Sequence, residues 1–145
     1  MILYLDTSAL VKKYFREIGT DEVIQFWKDA VAIATSSVGY AETLASLYRK
    51  QREGNIDGTI IKHLIDSFHD DWASFVRVEV SEELNKTIER LVSAHPLRGF
   101  DAIHLASALA VYEHAPEPFL FACFDKRLLE AAKAEGLSTY PDNLV

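Results

Sequence analysis

Short apolar runs alternate along this chain with longer stretches whose apolar positions recur every three to four residues. The runs at 1–5, 31–35, 76–80 and 119–124 read as strands, and 138–140 as a short final one. The first is apolar without interruption, as a strand buried on both faces should be. Asp6-Thr7-Ser8 ends it and is placed to cap a helix through about Phe15, which Gly19 breaks. Thr20 is expected to cap a second helix, with Asp21 and Glu22 near its positive end. Ser36 or Ser37 should cap a long helix to about Arg52, closed by Gly54. Ile60, Ile61, Leu64, Ile65, Phe68 and Trp72 trace one face of a helix over 57–75. Ser81 caps another that Pro96 ends, and two more follow over about 100–113 and 126–135. His-Ala-Pro-Glu-Pro at 114–118 reads as a loop.

Strands alternating with helices predict an α/β fold. The expected form is a three-layer α/β/α sandwich around a mainly parallel sheet of four to five strands. The 145 residues are taken as one domain over 1–145. In such sheets, sites form beyond the carboxyl ends of strands.

Against this pattern four acids stand out. Asp6 follows Ile2-Leu3-Tyr4-Leu5, and Asp125 follows Phe119-Leu120-Phe121-Ala122-Cys123-Phe124. Glu42 lies at the margin of the apolar face of the 37–52 helix, one to two turns in, and Asp101 opens a helix that is apolar nearly all round. Each has an ordinary reading: Asp6 and Asp125 as helix caps, Asp101 as a partner of the helix dipole, Glu42 as a solvated boundary residue. As a set, two acids ending strands and two on flanking helices point to a pocket for a hard divalent cation. His104, one turn after Asp101, could serve as a ligand or a base, but in so apolar a helix it reads rather as a core histidine with its hydrogen bonds satisfied. The lone Cys123 lacks zinc-like partners and fits a reducing compartment.

Hydrophobic residues make up 49% and charged residues 26%, as in soluble globular proteins. The first apolar run is cut by Asp6, so neither a signal peptide nor a membrane span is expected, and the reading is cytoplasmic. A net charge of −7 argues against broad nucleic-acid coating but leaves room for an enzyme whose acidic pocket is filled by cations.

The motif context is more specific. Leu3-Tyr4-Leu5-Asp6-Thr7-Ser8-Ala9-Leu10-Val11-Lys12, Glu42 within its helix, Arg98-Gly99-Phe100-Asp101-Ala102-Ile103-His104-Leu105-Ala106, and Phe124-Asp125-Lys126-Arg127-Leu128 stand in order along the chain. Together they resemble the four motifs of the PIN-domain family, particularly its VapC-like toxins of type II toxin–antitoxin pairs. The resemblance implies metal-dependent hydrolysis of RNA phosphodiester bonds. Asp6, Glu42, Asp101 and Asp125 would gather around Mg2+ or Mn2+. Ser8, and secondarily Thr7, would orient water or a ligand beside Asp6. Among the basic residues flanking the motifs, Lys12, Arg49 and Arg98 become candidate RNA contacts. The resemblance also implies a homodimer and a cognate antitoxin. Cys123 departs from the Thr or Ser that the family often places two residues before its last Asp. The competing reading is a PIN-like interaction module with little nuclease activity. A phosphatase or a receiver domain fits less well, because Ser8 stands where the former needs a second Asp and the latter's acidic pair is missing.

Overall fold

The apolar strands assemble in the order β3-β2-β1-β4-β5, every neighbouring pair parallel. The computed structural model describes residues 1–115 and 118–144, so the loop expected over 114–118 lies partly outside the described residues. The strands are β1 (Ile2–Leu5), β2 (Ala32–Ser36), β3 (Val76–Val78), β4 (Phe119–Ala122) and β5 (Thr139–Tyr140). The helices are α1 (Thr7–Leu10), continued by a 3-10 turn over Val11–Lys13, α2 (Thr20–Asp29), α3 (Gly39–Gly54), α4 (Gly58–Ser74), α5 (Glu82–Ala94), α6 (Gly99–His114) and α7 (Lys126–Ala134).

Strand β1 is central and wholly buried, and its alternation splits the interior in two. Ile2 and Tyr4 face a core built with Leu91 of α5, Leu105 and Leu109 of α6, Phe121 of β4, and Leu128 of α7. Leu3 and Leu5 face a second core with Leu10, Val23 of α2, Leu47 of α3, and Ile61 and Phe68 of α4. The sheet is therefore sandwiched between α5–α7 and α1–α4, the three layers expected. Apolar helix α6 packs against the sheet, α5 and α7, which explains its lack of a polar face. No described helix is long and apolar enough to cross a membrane.

Local details depart from the sequence reading. The helix expected through Phe15 is one short turn followed by a 3-10 turn. Thr20 does not cap α2. The cap position is Gly19 at φ +96°, and the Thr20 hydroxyl instead donates to the Lys12 carbonyl (2.9 Å) and accepts from the Glu17 amide (2.9 Å). Ser36 belongs to β2, and α3 begins at Gly39 with no side-chain cap, which puts Glu42 in its first turn. Strand β3 stops at Val78 and β4 at Ala122, earlier than the apolar runs suggest.

Candidate functional site

Strands β1 and β4 lie side by side in register, Leu5 opposite Ala122, so the turns that leave them meet at one end of the sheet. Asp6 caps α1, its Oδ1 accepting from the Ala9 amide at 2.9 Å. Asp125 caps α7 in the same way, with Oδ1 2.9 Å from the Leu128 amide. Glu42 and Asp101 occupy the first turns of α3 and α6. All four acids thus stand at helix N-termini, where the backbone dipoles favour negative charge. The capping role foreseen for the two strand-end acids is real, and it engages only Oδ1 of Asp125.

Asp6 is 4% exposed. Burial lifts its pKa from 3.8 to about 6, against the pull of His104's charge, the Ser8 hydroxyl and the Ala9 amide, while Asp101 adds to the rise. Ser8 donates to both carboxylate oxygens of Asp6 (2.7 and 2.9 Å) and accepts from the Phe124 amide at 2.8 Å, tying the β1 turn to the β4 turn. Its proton is thus directed at Asp6 itself. Asp101 is also raised, first by burial and then by the charge of Asp125, with Arg98 and His104 opposing. Glu42 moves the other way. Burial would raise it, but hydrogen bonding and charge from His104 and the Thr7 hydroxyl outweigh burial and hold it below its usual value.

Glu42 and Asp101 line a cleft of about 670 Å³ together with Lys12, Arg49, Arg98 and Phe100. Asp6 does not line it but is bonded to Ser8, which does. Asp125 opens onto a neighbouring hollow that shares Arg98 and Asp101 with the cleft. The Arg98 guanidinium reaches Asp101 at 3.3 Å and Asp125 at 3.4 Å, so a positive group already stands between two carboxylates that repel each other. As the side chains lie, no three Asp, Glu, His or Cys among the described residues are close enough to hold a metal ion. The chemistry of the set nevertheless suits one. The donors are oxygens, Asp6 and Asp101 are held above their ordinary pKa by burial and by the charge of a neighbouring acid, and a 77% exposed arginine bridges Asp101 and Asp125.

Of the expected basic residues, Lys12 is the most constrained. It is 8% exposed, its ammonium lies 4.2 Å from the centre of the Phe124 ring, and it has no carboxylate partner among the described residues. Gly19 packs against the same ring. Arg49 lines the cleft and donates to Ser46 at 3.2 Å. Cys123 points into the core, where burial pushes its thiol upward and Sγ sits 3.6 Å from the Asp125 carbonyl. His104 is the satisfied core histidine foreseen, 2% exposed with both ring nitrogens bonded. One of its partners is Glu42, which ties it to the cleft. The signal was its position three residues after Asp101. Tyr4, its other partner, carried no signal beyond its place in a buried strand.

Comparison with known proteins agrees with this geometry. Ribonuclease VapC49 of Mycobacterium tuberculosis is 32% identical over 143 residues, covering 99% of this chain and 97% of its own. Among solved structures, FitAcB from Neisseria gonorrhoeae superposes with a TM-score of 0.70 at 14% identity, covering 98% of each chain. A toxin–antitoxin complex from Klebsiella pneumoniae gives 0.62 at 14%, covering 99% of this chain and 96% of that one. These structural likenesses establish the fold. A PIN-domain family model matches residues 3–134, and with it the turns, helix starts and cleft described above, so the chain belongs to the PIN-domain family.

Proposed function

We propose that this protein is a metal-dependent endoribonuclease, the toxin of a type II toxin–antitoxin pair. The observation that carries the reading is a cleft lined by both acidic and basic side chains. Glu42 and Asp101, with Asp6 bonded to the lining Ser8, supply carboxylate oxygens, and Lys12, Arg49 and Arg98 line the same cleft. The likeness to Ribonuclease VapC49 across nearly the whole of both chains supports RNA as the substrate.

Asp6, Asp101, Glu42 and Asp125 would hold Mg2+ or Mn2+, which when bound acidifies a water and neutralises phosphate oxygens. Ser8 and the Ala9 amide fix the Asp6 carboxylate in place. Arg98, released from Asp101 and Asp125, would meet a phosphate, and Arg49 and the buried Lys12, which also line the cleft, would add positive charge beside it. No side-chain nucleophile is required for this hydrolysis. The family likeness further supports a homodimer and an antitoxin that covers the cleft, and a cytoplasmic setting for both.

The test is cleavage of RNA by the purified protein with Mn2+, with EDTA, and by Asp101→Asn with Mn2+. The expected result is cleavage only in the first. If the wild type cuts no RNA under any divalent ion, and Asp6→Asn and Asp101→Asn change no cellular phenotype, the interaction-module reading replaces this one.

A further inference from the structure

We infer that His104 is a positioning residue that aims Glu42 into the cleft, an assignment that rests on the metal-dependent reading above. Four elements meet at this point. His104 on α6 is 2% exposed, inside an almost wholly apolar helix. Its Nδ1 is 2.9 Å from the hydroxyl of Tyr4 on β1, itself fully buried. Its Nε2 is 2.8 Å from Oε1 of Glu42 on α3. The Thr7 hydroxyl on α1 donates to the same Oε1 at 2.9 Å.

A buried imidazole needs partners for both nitrogens, and a purely structural histidine takes them from backbone or core groups. Here one partner is a core phenol and the other is a part-exposed acid lining the cleft. An ionised carboxylate only accepts, so the hydrogen between Nε2 and Oε1 belongs to His104. Two donors therefore converge on Oε1, and Oε2 has no protein partner among the described residues. The geometry gives Glu42 one committed oxygen and one free oxygen, the free one available to a cation or its water. The Tyr4 hydroxyl fixes the ring, the ring fixes Oε1, and the carboxylate plane follows. Groups that orient a ligand in this way are worth about 10- to 100-fold in metal affinity or activity.

The experiment measures Mn2+ affinity by calorimetry, and kcat and KM for RNA, in the wild type, His104→Leu, His104→Gln, Tyr4→Phe and Glu42→Gln, and in His104→Leu combined with Glu42→Gln. His104→Leu should weaken Mn2+ binding about 10- to 100-fold and lower kcat with little change in RNA KM. His104→Gln, whose amide can still donate to Oε1, should recover part of that loss. In the Glu42→Gln background His104→Leu should cost almost nothing more, because the residue it orients is already changed. Mn2+ affinity within threefold of wild type in His104→Leu, or losses that add in the double variant, overturns the assignment. If His104→Leu does not fold, His104→Gln and Tyr4→Phe, each alone and combined with Glu42→Gln, are judged by the same non-additivity. A wild type that binds no Mn2+ overturns the cation reading and this inference with it. A wild type that binds with additive losses overturns only the role of His104.

Discussion

Asp6→Asn should stabilise the metal-free protein near neutral pH. Asp6 titrates at about 6 in the fold against an ordinary 3.8, because burial penalises its charge more than Ser8, Ala9 and His104 favour it. The folded state therefore holds the proton more tightly than the unfolded chain. For an acid raised in this way, its contribution to stability is complete below about pH 4 and is lost as pH rises through 6. At about 1.4 kcal/mol per pKa unit, the charged carboxylate costs the metal-free fold roughly 3 kcal/mol above pH 7. Asparagine has nearly the shape of the protonated acid and keeps an oxygen for the Ala9 amide and the Ser8 hydroxyl. It loses only what its amide group costs opposite Ser8. The expected gain is about 1–3 kcal/mol at pH 7.5, or roughly 3–10 °C in melting temperature. The assay is urea unfolding of wild type and variant in EDTA from pH 4 to pH 8. Taking the difference between the two proteins removes the other titrating groups, among them Glu42 and Glu135, both shifted downward. The gap should open as pH rises through 6 and close toward pH 4. A variant less stable than wild type at every pH, or a gap that ignores pH, would refute the reasoning.

Mn2+ should offset most or all of that difference: at a hundred times its Kd it adds about 2.7 kcal/mol to the wild type, and nothing to Asp6→Asn, as read by thermal melts with and without the ion. Arg98→Ala should leave unfolding free energy within about 0.5 kcal/mol, since the side chain is 77% exposed and its bonds are long. The same change should weaken RNA binding and lower the slope of log K against log salt by about 1, measured by fluorescence anisotropy. Gly19→Ala should destabilise by about 1–2 kcal/mol or more in denaturant titrations, because φ is +96° and a Cβ would lie 2.7 Å from Cζ of Phe124.

The middle of the sheet was legible because β1 and β4 are short runs of apolar residues that a parallel sheet covered on both faces buries. Asp6 and Asp125 were legible for a related reason: a charge directly after such a run lies where the strand leaves the sheet. What escaped depended on partners distant in sequence. Thr20 looks like a cap until the Lys12 carbonyl competes for its hydroxyl. The apolar positions of 9–14 fit an α-helix and a 3-10 turn equally well over so few residues. Ser36 reads as a cap, yet its backbone pairs with Val78 in the sheet. His104 could be read as satisfied, but its acceptor Glu42 is 62 residues away and Tyr4 is 100 away, beyond any local periodicity.

The pairing of β1 with β4 also bears on how the protein is made. The sheet's central strand leaves the ribosome well before the neighbour it pairs with, which has Asp125 behind it. The bond from the Phe124 amide to Ser8 closes a loop of 116 residues. Long-range pairings of this kind form late and cannot precede synthesis of their second partner. A nascent chain lacking β4 has no completed cleft, so translation itself times the appearance of the site, and truncated products carry Asp6 without the surroundings that give it a role.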